Sequence, residues 1–141
     1  MDRKGILRNF IHEVWNAGDV KACDKYLAPR YTVHHDPGDP WHGKALDSDG
    51  FKARLVQSRA PFPDQIFAVQ ELFEDGHAVV MTWFWTGTHT GDIAGFPASG
   101  KTIRMSGATV YYFEGDRLSG HWQMADRLGV FQQLAAQSPG T

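Results

Sequence analysis

From Gln65 onward the apolar residues of this chain change their spacing from three or four to two, and the new period holds almost to the end. A sustained period of two means extended chain with alternate side chains on opposite faces. Three long strands read directly from it: Gln65 to Phe73, Ala78 to His89 and Lys101 to Glu114. A fourth follows Gly115-Asp116. Asp75-Gly76 is a hairpin turn signal, and Thr90 to Gly100, spaced by Gly91, Gly95 and Pro97, reads as a loop. The second half of the chain therefore has to fold as a meander.

The first half keeps the helical period. Ile6 or Leu7, Phe10, Ile11, Val14 and Trp15 are interleaved with Arg8, Asn9, His12 and Glu13, which predicts an amphipathic helix. Gly18 ends it, and Asp19 is placed to cap a shorter helix carrying Val20, Cys23 and Leu27 before Pro29. Tyr31 to His35 reads as a short strand, and Asp36-Pro37-Gly38-Asp39-Pro40 as a loop. Ser48 is the expected cap of a third helix whose stripe is Phe51, Leu55 and Val56, ending before Pro61. Gln137 to Thr141 reads as a frayed tail. The order gives an α+β domain over residues 1–141: three N-terminal helices on one face of a curved antiparallel sheet of four long strands and a short one. Apolar residues lie on both faces of the Ala78 strand, with Val79, Met81, Trp83 and Trp85 opposite Val80 and Phe84. The second face therefore also needs cover, and a second subunit is the simplest cover, so a homodimer is expected.

Composition narrows the partners. A net charge of −2 without a Lys/Arg cluster argues against nucleic acid. No long apolar run suggests a membrane span or a signal peptide, which makes the cytoplasm the expected compartment. The single Cys23 excludes an internal disulfide and a cysteine-based zinc site. His34, His35, Asp36 and His42 are ligand types, but neighbouring strand residues point to opposite faces and no H-x-x-x-H spacing occurs, so no metal is expected. Phosphate-loop glycine patterns and a nucleophile elbow are missing too, and no cofactor is expected.

The chemistry concentrates in Gly115 to Leu134, GDRLSGHWQMADRLGVFQQL. Simple alternation puts Leu118, Gly120, Trp122, Met124 and Asp126 on one side and His121 and Gln123 on the other. Asp126 then has two possible placements: at the solvated strand end, capping the helix that follows, or among apolar side chains where its pKa would rise. In the second, Asp126 and His121 are the candidate acid/base groups, with Tyr112 and Arg104 on the preceding strand as partners. Trp15, Phe51, Trp83, Trp85, Trp122 and Met124 would supply an aromatic and apolar wall, with His35 at its rim. These ingredients fit proton transfer on a small apolar or aromatic molecule.

Four segments in order resemble the SnoaL-like polyketide cyclases, of the superfamily of cone-shaped domains related to nuclear transport factor two. They are FIHEVWNAGDVKACDKYLAPRYTVHHDP, GFKARLVQSRAPFPD, TGTHTGDIAGFPASGK and the stretch from Gly115 to Leu134. The resemblance implies a cone-like sheet with the helices on its concave face. It also implies ring closure by intramolecular aldol condensation without metal or cofactor, and an aspartate acid/base at the position of Asp126. The family pairs that aspartate with a histidine on the preceding strand. Ile103 to Phe113 has none, so Tyr112 or His121 would have to serve, and His121 would join Asp126 only across a bulge. Relatives in the superfamily also include isomerases, dehydratases, epoxide hydrolases and non-catalytic binding modules, and a pure dimerisation module is a further reading.

Overall fold

A computed structural model of the chain describes residues 2–93 and 95–136; the tail expected at Gln137 to Thr141 lies outside them. Helix α1 (Arg3–Phe10) starts where the Asp2 side chain accepts the Gly5 amide at 2.9 Å, and it buries Leu7 and Phe10. It widens into a π-helical segment over Ile11–Asn16, where the looser turn keeps Ile11, Val14 and Trp15 all on the buried side. Gly18, at φ +69°, ends it. Asp19 caps a 3₁₀ turn, Val20–Ala22, that runs into the short α2 (Cys23–Tyr26). Helix α3 (Ser48–Arg59) is capped by Asp47 rather than by Ser48, whose hydroxyl instead bonds Asp24. Its buried stripe is Phe51, Arg54 and Leu55, while Val56 is exposed. A guanidinium thus occupies the face where spacing suggested a valine.

The strands are β1 (Leu27–His35), β2 (Ala45–Leu46), β3 (Ile66–Asp75), β4 (Ala78–Thr88), β5 (Thr102–Glu114) and β6 (Arg117–Ala125), and a final helix α4 (Arg127–Ala135) follows. They form one curved open sheet in the order β2-β1-β6-β5-β4-β3. The meander is antiparallel as expected, but β1 pairs parallel with β6. That pairing is possible because α3 and the whole meander separate the two strands in sequence. The N-terminal helices pack on the concave face: Leu7, Phe10, Phe51 and Leu55 share one core with Val79, Met81, Trp83 and Trp85. Among the described residues no helix is long and apolar enough to cross a membrane.

One irregularity in β6 controls the site. Tyr112 pairs with Gly120 but Phe113 pairs with Leu118, leaving Ser119 as an extra residue. This bulge shifts the phase of the strand by one. Leu118 and His121 are both buried on the inner face, whereas Trp122 (40% exposed) and Met124 (52% exposed) are turned outward.

Candidate functional site

Between the inner face, α3 and α4 lies a cavity of about 630 Å³. Its apolar wall comes from Trp15, Phe62, Phe67, Trp85, Ile93, Met105, Phe131 and Leu134. The π-helical segment places Trp15 there, and its ring meets Phe67 edge-on at 6.0 Å. Trp85 is fixed by its indole N–H, which donates to Gln65. The loop after β4 folds over one side, where Phe96 lies against Phe131 of α4.

The polar wall is built around Asp36, which is 1% exposed. Asp36 follows β1, and its amide donates to Nδ1 of His42 at 2.8 Å, which pins the Asp36–Asp39 turn. Gly38 suits that turn because its φ of +94° is one that side-chain-bearing residues rarely adopt, and a Cβ there would run into the Arg127 side chain. Four side chains donate to the Asp36 carboxylate. His121 Nε2 reaches Oδ2 at 2.8 Å, Arg127 Nη2 reaches Oδ1 at 2.7 Å, Arg54 Nη2 reaches Oδ2 at 3.4 Å and Gln123 Nε2 reaches Oδ1 at 3.3 Å. Gln123 is itself oriented by a chain through the core: Trp83 Nε1–H donates to Thr109 Oγ1, whose hydroxyl donates to Gln123 Oε1. Arg54 also bonds Asp39 at 3.0 Å through Nη2 and lies over the Trp15 and Phe51 rings at 5.2 and 5.8 Å.

Burial alone would raise the Asp36 pKa, but the His121 hydrogen bond and the His121 and Arg127 charges outweigh it and hold the carboxyl below its ordinary value. Burial is the main cause that pushes the His121 pKa down, opposed by its bond to Asp36. The consistent arrangement is an ionised Asp36 and a neutral imidazole protonated on Nε2. Nδ1 of His121 then accepts from the Tyr31 hydroxyl at 2.6 Å. Burial pushes the Tyr31 pKa well up, which keeps that hydroxyl a donor.

Of the expected site residues, Trp15, Trp85 and His121 line the cavity. Phe51 and Trp83 are fully buried behind it, in the core. The other six lie elsewhere. The Ser119 bulge turns Trp122 and Met124 outward; Tyr112, in register with Gly120, stands against His34 on the same outer face. His35 stacks on Trp122 at 4.7 Å, and Arg104 is exposed beside Gln133. Asp126 is an exposed cap of α4 whose carboxylate accepts the Gly129 amide at 2.9 Å. The bulge precedes His121 and the register is unbroken from there to Ala125, so no bulge joins His121 to Asp126. Asp126→Ala should accordingly cost about 1 kcal/mol in chemical denaturation, and Asp126→Asn, an equally good cap, nearly nothing.

Asp36, Asp39, Arg54, Arg127, Gln123, Tyr31 and Tyr111 were not among the expected site residues. Arg54 alone carries a sequence signal: it falls in phase with Phe51 and Leu55 on the buried stripe of a helix, where a charge needs partners. Among the described residues no group of three or more His, Cys, Asp or Glu is arranged to hold a metal ion.

The fold has known counterparts. A proposed polyketide cyclase from Acidithiobacillus ferrooxidans is 63% identical, over 95% of this chain and 94% of that one, with a TM-score of 0.91. At the level of fold alone, IdmH of Streptomyces antibioticus, also a proposed polyketide cyclase, superposes with a TM-score of 0.80 at 24% identity, over 96% of this chain and all of that one. A SnoaL-like protein from Jannaschia sp. CCS1 gives 0.81 at 19% identity, over 97% and 94%. No curated protein matches the chain. The SnoaL-like polyketide cyclase family matches residues 5–134, from within α1 to within α4, and the chain belongs to that family.

Proposed function

We propose that the protein is a cofactor-free acid/base enzyme of the cyclase type, acting on a small apolar carbonyl compound, with His121 as the group that takes and returns the proton. The observation that carries this reading is the buried Asp36–His121 pair on the wall of an otherwise apolar cavity. A hydrogen next to a carbonyl is removed by Nδ1 of His121 as the Tyr31 hydroxyl gives way. The Nε2–H stays on His121, hydrogen-bonded to Asp36, whose charge stabilises the imidazolium so formed. The resulting enolate attacks a second carbonyl of the same molecule, forming the ring bond, and the new alkoxide takes the proton back from His121. Asp126 contributes through the start of α4, which carries Arg127.

The test is exchange of the acidic hydrogen of an aryl β-keto ester into deuterium oxide, followed by NMR. Protein-dependent exchange that disappears in His121→Phe is expected; an unchanged rate in that variant would overturn the assignment. A specific observation favours a second reading, a binding domain without turnover: both His121 nitrogens and both Asp36 oxygens already have partners in the resting protein. Saturable binding without any exchange would select it.

The outer sheet face is proposed to pair with a second copy. Phe84 (56% exposed), Trp122 and Met124 lie on it together. An interface of about 1,600 Å² would cover them and keep the protein dimeric at micromolar concentration. Light scattering should give twice the chain mass; a monomer mass would overturn the pairing.

A further inference from the structure

Arg54 is 5% exposed, yet it lines the cavity. Its Nε and Nη2 are taken up by Asp39 and Asp36. Its Nη1 has no hydrogen-bond partner among the described residues, and it is not one of the polar atoms sealed away from solvent. A nearly buried guanidinium thus presents an open N–H edge to the cavity. The rings of Trp15 and Phe51 hold its plane, so that edge is fixed before any ligand arrives.

Tyr111 lines the same cavity as this edge. It pairs in register with His121 across β5 and β6, and the two rings are 6.0 Å apart. Its hydroxyl also lacks a partner among the described residues, and its side chain lines the cavity. Burial pushes the Tyr111 pKa up, so the hydroxyl remains a donor at neutral pH. Arg54, Tyr111 and His121 thus line one cavity together.

The charges around the edge set what it can hold. Arg54 and Arg127 are matched by Asp36 and Asp39, so the cluster offers donors without net positive charge. That combination suits a neutral oxygen acceptor better than a free anion, and suits best an oxygen that gains negative charge only during reaction. We propose that Arg54 Nη1 and the Tyr111 hydroxyl form a subsite for the carbonyl oxygen of a ketone- or ester-type ligand. The proposal rests on the proton-transfer reading above for its role in the reaction: the carbonyl sits beside the group that removes its neighbouring hydrogen, and the two donors take the charge as it moves onto oxygen.

Two probes of nearly equal shape test the subsite by binding alone: 2-acetylnaphthalene and 2-isopropenylnaphthalene, which differ by C=O against C=CH₂. Quenching of tryptophan fluorescence follows both, since Trp15, Trp41 and Trp85 line the cavity. The wild type should bind the ketone about tenfold tighter, although the hydrocarbon is the more apolar. The carbonyl carbon of ¹³C-labelled ketone should move downfield on binding. Tyr111→Phe should lower the preference and Arg54→Lys should nearly remove it; the wild-type comparison stands even if a variant fails to fold. Equal affinities, or an unmoved carbonyl signal, would overturn the subsite while leaving proton transfer by His121 in place. A ketone preference without exchange activity would support the subsite and remove the catalytic reading alone. If neither probe bound, both would fall.

Discussion

Asp36→Ala should lower the free energy of unfolding by about 3–5 kcal/mol, the usual result of breaking a buried charge pair from one side. The carboxylate satisfies His121, Arg127, Gln123 and Arg54 at once, and its removal leaves the Arg54 guanidinium, itself almost wholly buried, with Asp39 alone. Small domains hold only about 5–15 kcal/mol in total, so the melting temperature should fall by about 10 °C or more. Asp36→Asn should not rescue the loss, because its amide adds donors where every neighbour is already a donor. Urea denaturation of both variants is the measurement; a loss below about 1 kcal/mol would show that these charges are solvated. The pH sign follows from the lowered Asp36 pKa. Its contribution is complete above the ordinary value of 3.8 and is lost as pH falls through the lower folded value.

His121→Phe should reduce exchange activity by about 10²–10⁴-fold with little change in binding, because the ring keeps its volume while the proton-accepting nitrogen goes. Its effect on stability has a pH signature. The folded-state pKa lies below the ordinary 6.5, so between the two values the unfolded chain binds a proton that the folded one refuses. Stability therefore falls as pH drops below 6.5, and the fall ends at the folded pKa. In the variant this limb should vanish, leaving only the carboxylate limb at lower pH. Activity should rise with pH through the same folded pKa and be flat at neutrality. Melting curves between pH 7 and pH 5 settle the first point, and an activity limb centred above pH 8 would assign the base to another group.

Much of the scaffold is legible in the residues because it depends on period and punctuation. Val79, Met81, Trp83 and Trp85 share the buried face of β4 as alternation requires, and Asp75-Gly76 turns the first hairpin. The site is less legible, for reasons that can be named. Alternation assumes an unbroken ladder, and nothing about Ser119 announces that it is an extra residue. That one slip moves His121 inward and takes Trp122 and Met124 out with it. Asp36 sits in a loop rich in proline and glycine, where carboxylates ordinarily face water; only the return of β6 beside β1, a parallel contact between distant segments, buries it. Arg127 depends on the same closure, since it is α4 that carries it back over Gly38.

The hydrogen bonds from Trp83 through Thr109 and Gln123 to Asp36 all point the same way, each group donating toward the carboxylate. Such a file of aligned dipoles polarises along its length, so a change of charge at one end is felt at the other. Trp83 is 1% exposed and does not line the cavity, so no ligand touches it. Its indole proton is therefore a built-in gauge: when the charge on Asp36 is neutralised or shared with an incoming molecule, that resonance moves, and it reports the electrical state of the site from a place that occupancy alone does not disturb.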